Sequence, residues 1–255
     1  MVHDHFGMTH PGLKRTVNED CFGIFSVGSD ATLYVVCDGI GGCQGGQQAS
    51  ALALSSFADS IISQLSHLSS TEWNCLPLSQ IKRSMRAAAT DASRHVHTAA
   101  QQDPDLLGMA STLVAVLLTA ARAYVIHVGD SRLYTVTEHT MEKVTRDHSY
   151  IQYLIDVGRI TKQQAKSMKI ENYITQAIGA YDHVDGDFCA LDLSAYSSPT
   201  YLLLCSDGLY SKVKKEQIKN ILFSLDPLSV KANTLIEAAC QQGGEDNITA
   251  VLVQI

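Results

Sequence analysis

Six acidic residues stand where an apolar run ends or the chain turns tightly. They are Glu19 and Asp20 in RTVNED, Asp38 in CDGIGG, Asp130 in VGDSR, Asp207 in CSDG and Asp246 in GGEDNITAV. Taken singly, each has an ordinary explanation in turn chemistry, which favours Asp-Gly and Asn beside an acid. Taken together they ask for more. Asp38 and Asp207 follow the unbroken apolar runs LYVVC and LLLC, so the strands that carry them are expected to be central and buried. Carboxylates gathered at the ends of buried strands lose hydration and repel one another, which is costly unless a cation compensates. Hard oxygen donors without a His/Cys ligand pattern point to Mg²⁺ or Mn²⁺ rather than Zn²⁺. Gly39, directly after Asp38, lets the backbone turn sharply and offers its carbonyl as one more oxygen donor.

The elements that must position these acids can be read from periodicity and punctuation. Strand patterns cover 21–27 and 32–38, followed by a glycine-rich turn at 39–46. Helical spacing runs over 47–68, then a loop with Trp73 and Pro77, then a second long helix over 78–101. Strand texture returns at 111–119, 123–129 and 131–137, and again at 188–193 and 201–205. Between them, 149–177 reads as helical and more polar. Helices are expected over 214–225 and 228–241, and NITAVLVQI closes the chain as a strand. That order gives an α+β layered domain rather than an alternating βαβ array. The first and last strands are expected to pair, making 1–255 a single domain, with the helices of 149–178 as a subdomain of their own.

Composition excludes several partners. The chain has 255 residues, 45% of them apolar and 18% charged, so it can bury a sizeable core and is not disordered. A net charge of −7 with no run of Lys or Arg argues against nucleic acid and anionic membranes. The seven cysteines are odd in number, form no CxxC and sit partly in apolar runs, which favours a reducing, cytoplasmic setting over a disulfide scaffold. The N-terminal stretch lacks the basic start and apolar core of a signal peptide. No apolar segment approaches the roughly 18 residues of a membrane span. The expectation is a soluble protein, with a monomer as the simplest state.

At this point the motifs carry a family resemblance. GLKRTVNED, VVCDGIGG, ASTL, VGDSRLY, TRDHS, LIDVGRIT, TQAIGA, LLLCSDGL and GGEDNITAVLV occur in an order and spacing similar to those of PPM-type phosphatases, the metal-dependent protein phosphatase 2C family, in its compact bacterial form. The resemblance runs from about Gly12 to Val253. It implies a four-layer α-β-β-α sandwich with two central, mainly antiparallel sheets, and hydrolysis of phosphoserine and phosphothreonine in proteins by a metal-bridging water or hydroxide. Two ions about 4 Å apart would activate that water and neutralise phosphoryl charge.

Residue by residue, the resemblance makes Asp38 the bridge between two Mn²⁺ or Mg²⁺ ions, with the Gly39 carbonyl on one of them. Asp207 and Asp246 complete the ligands of the other. Glu19 and Asp20 lie beside the second ion, binding directly or through water. Asp130 joins Asp207 at a third, weaker ion. Asn247 orients its neighbour's carboxylate or the attacking water. Arg15 holds phosphate, a role its planar guanidinium suits. The segment 149–178 corresponds to the family's flap, which either sorts substrates or is a variable surface insertion. The implied partners are phosphorylated proteins and a cognate Ser/Thr protein kinase that the enzyme opposes.

Several positions depart from the family pattern. Ile40 replaces a histidine that eukaryotic members carry after Asp-Gly, so this position has no proton donor. His10 stands where bacterial members often have an acid, Ala110 where Gly is frequent, and Ser211 where some members place an acid near a third ion. Among ten histidines, His127 reads as a packed residue, and His148 matches a recurrent family position without an assigned role. Rival chemistries are poorly supported. No cysteine has Arg six positions on, and neither GxxxxGK[ST] nor GxGxxG occurs. Two alternatives stay open: an inactive family member serving as a binding or regulatory module, and a hydrolase of small phosphoesters.

Overall fold

The computed structural model describes residues 3–41, 45–167, 173–196 and 199–255. Its architecture follows from strands that are apolar on both faces. In β3 (Ala31–Ile40), reached after β1 (His5–His10) and β2 (Asp20–Val27), Leu33, Val35 and Cys37 face one way, and Tyr34 and Val36 the other. All five are fully buried. Antiparallel sheets usually leave one face to water, and their strands then alternate apolar with polar. A continuous apolar run in such a sheet therefore means cover on both sides.

One cover is helical. α1 (Gly45–Leu65) and, beyond the short α2 (Ser70–Cys75), α3 (Leu78–Gln102) lie over the Leu33 face. In α3, Ile81, Met85, Ala88, Ala92 and Val96 recur three to four residues apart and are fully buried, which is the stripe an amphipathic helix needs. The other cover is a second sheet. β4 (Ala110–Ser111), β5 (Leu113–Thr119), β6 (Arg122–Val128), β7 (Arg132–Val136) and β8 (Met141–Lys143) come next in the chain. They are followed by α4 (Tyr150–Asp156), α5 (Lys162–Ser167), β9 (Asp187–Asp192) and β10 (Tyr201–Cys205). The chain ends with α6 (Asp207–Tyr210), α7 (Lys215–Leu222), α8 (Leu228–Gln241) and β11 (Ile248–Gln254).

One sheet has the order β2-β3-β5-β6-β9, with β4 paired to β3; the other has the order β1-β11-β10-β7-β8. All named pairs are antiparallel. Tyr34 and Val36 meet Leu202 and Leu204 between the sheets, while Leu203 and Cys205 of β10 face α7 and α8. The result is a four-layer α-β-β-α sandwich, and each large side chain so buried contributes about 1.5–3 kcal/mol.

The pairing of the ends corrects the sequence reading. The first strand recognised there, 21–27, belongs to β2 and pairs with β3, not with the last strand. The partner of β11 is β1, which escaped recognition because HFGMTH is an edge strand with no fully buried residue and only two large apolar side chains. Helix was also over-assigned in 149–177. α4 and α5 are short, and 173–177 is not helical; residues 168–172 lie outside the described residues. The stretch around Trp73, read as a loop, holds α2, whose capping box joins Ser69 and Glu72.

Candidate active site

Both sheets deliver acids to the same end of the sandwich. In the β2–β3 ladder Asp20 stands directly opposite Asp38. The Asp38 N–H donates to Thr112 Oγ1 at 2.9 Å, and the Thr112 N–H donates to the Asp38 carbonyl at 2.8 Å. The Thr112 hydroxyl also meets Ser131 Oγ at 2.7 Å, which ties Asp38 to the turn bearing Asp130. From the second sheet, Asp207 opens α6 directly after β10, and Asp246 precedes β11. A cleft of about 360 Å³ is lined by Arg15, Glu19, Asp38, Gly39, Ile40, Asp130, Asp207, Asp246 and Asn247, together with Gly41 and Ile174.

Asp38, Asp207 and Asp20 hold protons far more tightly than isolated acids. Asp38 lies well above the usual carboxylate range, through burial first and then the charges of Asp20, Asp207, Asp130 and Asp246. Burial, followed by Asp130, Asp246 and Asp20, pushes Asp207 up to about 7. Burial pushes Asp20 to about 6, against the hydrogen bonds of Ser206 and Thr249 that favour its charge. Glu19 and Asp130 are also raised, chiefly by burial. Arg15 supplies positive charge at the rim: its Nη2 donates to Asp246 Oδ2 at 3.1 Å, and about half of its side chain is exposed.

Not every acid faces the cleft. Asp20 is behind it, with Oδ2 accepting from Ser206 Oγ at 2.6 Å and from Thr249 Oγ1 at 2.7 Å. Glu19 lines the cleft and is also buried, though less deeply than Asp20. The Asn247 side chain works as a staple rather than reaching a neighbouring carboxylate. It accepts from Glu19 N at 2.8 Å and donates to the carbonyls of Pro11 and Val17, each at 3.0 Å. Its own backbone N–H donates to Asp246 Oδ1 at 2.9 Å. His10 accepts from the Gly12 N–H at 2.9 Å and so helps shape the same loop. Ser211 does not line the cleft; its N–H closes α6 on the Asp207 carbonyl. Ala110 is buried at the edge of a neighbouring apolar hollow.

The residues that orient the acids were missed in the sequence. Thr112, Ser131, Ser206 and Thr249 are small hydroxyls, all buried: Thr112 lies across from Asp38, Ser131 and Ser206 sit beside Asp130 and Asp207, and Thr249 lies across from Ser206. A buried hydroxyl needs a partner, and that requirement was the available signal. Tyr210 was missed as well. Its hydroxyl donates to the Asp130 carbonyl at 3.0 Å, and its ring lies 3.5 Å beneath the Arg132 guanidinium, itself paired to Asp147.

Gly39 is required for space. A Cβ there would lie 2.0 Å from the Gly46 carbonyl oxygen, where α1 comes up against the β3 end. Gly39→Ala is expected to cost about 1–3 kcal/mol through overpacking. The check is a melt: a transition several degrees below that of the parent is expected, and an unchanged one would refute the close approach.

The donor set fits hard divalent cations. It is all oxygen, and the buried Glu19 Oε1 on the cleft wall has no hydrogen-bond partner among the described residues. Mutually repelling carboxylates with an orphaned oxygen are stabilised by a cation at their centre.

Comparisons with known proteins identify the family. The family model for protein phosphatase 2C matches residues 13–252. The serine/threonine phosphatase stp of Listeria monocytogenes is 32% identical over 246 residues, covering 96% of this chain and 93% of that protein. A serine/threonine phosphatase of S. agalactiae superposes with a TM-score of 0.88 at 28% identity, over 100% of both chains. The catalytic domain of the serine threonine protein phosphatase PstP, solved in complex with 2 manganese ions, gives a TM-score of 0.77 at 28% identity, over 99% of this chain and 97% of that one.

Proposed function

Because the chain belongs to the protein phosphatase 2C family, we infer that it is a protein-serine/threonine phosphatase whose acidic cleft hydrolyses phosphoserine and phosphothreonine. The observation that carries this reading is the convergence of Asp38, Asp207, Asp246, Glu19 and Asp130 on one cleft with Arg15 at its rim. Asp38, the Gly39 carbonyl, Asp207, Asp246 and Glu19 would hold two Mn²⁺ or Mg²⁺ ions, and Asp130 with Asp207 a weaker third. When bound, such ions activate water as a nucleophile and neutralise charge on the phosphoryl group. Asp20, from behind, ties β2 to the Ser206 and Thr249 hydroxyls of the other sheet and adds negative charge to the site.

Arg15 binds the phosphoryl oxygens. One of its N–H groups is engaged by Asp246, and the exposed remainder of the guanidinium faces solvent at the cleft mouth. Ile40 has no proton to give, so the leaving alkoxide takes its proton from water or from another residue. Asn247 keeps the Pro11–Glu19 loop, and hence Arg15, in register with Asp246. Arg15→Ala is expected to lower kcat/KM by about 10- to 100-fold, the range for a lost hydrogen bond to a charged group. Arg15→Lys should recover only part of it, because an ammonium cannot grip two oxygens at once. Steady-state kinetics on a phosphothreonine peptide would decide; an unchanged kcat/KM in Arg15→Ala removes Arg15 from the site.

The same reading makes residues 1–255 one domain with 149–178 as a flap beside the cleft. Ser149 bridges Ile174 at its base, and Ile174 lines the cleft. Phosphorylated proteins are the substrates and a Ser/Thr kinase the opposing activity. The free thiols among the described residues fit a cytoplasmic setting, and no described helix is long and apolar enough to cross a membrane. The direct test is phosphate release from a phosphothreonine peptide with Mn²⁺ and again in EDTA. Release that requires the metal is expected. No release with any divalent ion, from folded protein, would favour the inactive binding module.

A further inference from the structure

The turn that carries Asp130 is restrained from both sides. On one side Ser131 is held by Thr112, which also holds Asp38. On the other, both polar backbone groups of Gly129 are engaged by a single residue, His148. The Gly129 N–H donates to His148 Nδ1 at 3.2 Å, and the His148 N–H donates to the Gly129 carbonyl at 2.7 Å. Gly129 has φ +100°, and a Cβ there would lie 2.7 Å from Thr112 Cγ2, so only glycine allows this approach. His148 also reaches forward: its carbonyl accepts from the Thr175 N–H at 2.8 Å, next to Ile174 in the cleft wall.

We propose that His148 is a positioning residue that locks the Gly129–Asp130 turn to the cleft-wall segment through Ile174, and thereby sets the affinity for the divalent ion that Asp130 helps to hold. The inference rests on the phosphatase reading of the cleft. Gly129 and His148 are both buried or close to it, so an N–H left without its acceptor there would drive the peptide before Asp130 to reorient. Asp187 fixes the ring from the far side, 3.3 Å from Nε2.

Another arrangement has to be weighed, because His127, His148 and Asp187 bring three potential ligand atoms within 4.8 Å of one another. The Gly129 bond decides against a metal there. A neutral ring that accepts at Nδ1 carries its proton on Nε2, so Nε2 donates to Asp187 and has no lone pair for a cation. Arg86 and Arg146 line the same hollow and add positive charge.

The test counts bound Mn²⁺ on the full chain by the paramagnetic resonance signal of the free ion, and follows phosphopeptide turnover in parallel. In His148→Ala the weakest-bound Mn²⁺ is expected to lose about tenfold or more in affinity, the range for losing a group behind a metal ligand. The tighter ions should stay within about twofold on the same argument. His148→Asn should restore binding, because its Oδ1 can stand in for Nδ1 and accept from Gly129, whereas His148→Gln should not. That contrast keeps the test valid if the alanine variant does not fold. Wild-type binding in His148→Ala, or equal behaviour of the Asn and Gln variants, would overturn the proposal while leaving the phosphatase reading intact. A wild-type chain that bound no Mn²⁺ would overturn both.

Discussion

Asp38→Asn is expected to abolish phosphate release and, at the same time, to raise the melting temperature of the metal-free protein. The first effect follows from its place, at the β3 end, opposite Asp20 and within the cleft that Asp207, Asp246 and Asp130 enter from other elements. Loss of groups behind a metal ligand already costs 10- to 100-fold, so loss of the central ligand should exceed about 100-fold. The second effect follows from electrostatics. Without metal, the fold at neutral pH must either protonate Asp38 or carry its charge among four like charges, and both cost free energy. Asparagine does neither, and it can keep the backbone bonds to Thr112. Opposite signs in activity and stability distinguish a site acid from a structural one. A variant that lost both, or kept its activity, would contradict the assignment.

Metal removal should give the protein a stability that falls as pH rises, which is the reverse of ordinary acid denaturation. Asp20 and Asp207 move from 3.8 to about 6 and about 7 in the fold. A folded group with a raised pKa binds protons that the unfolded chain has released, so its contribution is full below about pH 4 and is lost as pH rises through 6 to 7. Asp147 works the other way: burial would raise it, but Arg132 and Lys143 hold it below the usual range, so its contribution is lost only at acid pH. Burial lowers His127 to about 3, so its contribution grows as pH rises to about 6.5. Between about pH 5 and 8 the several raised acids outnumber it and set the sign of the slope. In EDTA the melting temperature should fall across that window. Mn²⁺ at about 100 times its dissociation constant should raise it by roughly 5–10 °C at pH 7.5, from about 2.7 kcal/mol of linkage and 2–4 °C per kcal/mol. Melts with identical transitions in EDTA and Mn²⁺ would remove the cations from the cleft.

Much of this was legible before any coordinates. Runs such as LYVVC and LLLC declare buried strands because no polar side chain interrupts either face, and an acid directly after such a run declares the strand's end. The acids and Gly39 could be named for the same reason: their chemistry is local, carried by side-chain type and the adjacent turn. Arg15, by contrast, was named only through the family resemblance of its motif. β1 was not legible, since an edge strand buries little and HFGMTH carries only a faint alternation. Its existence depends on β11, which is more than 230 residues away and supplies its hydrogen bonds.

What the sequence by itself determined, then, is which groups are present and which elements end on them. Tertiary structure alone decided their grouping. It put Glu19 in the cleft and Asp20 behind it, gave Asp20 its hydroxyl partners from Ser206 and Thr249, and set His148 against Gly129. Those relations run between residues 19 to 229 positions apart. Side-chain type fixes what a group can do, but its neighbours in space fix its hydration, its charge state and its orientation, and no local pattern encodes which distant strand will supply them.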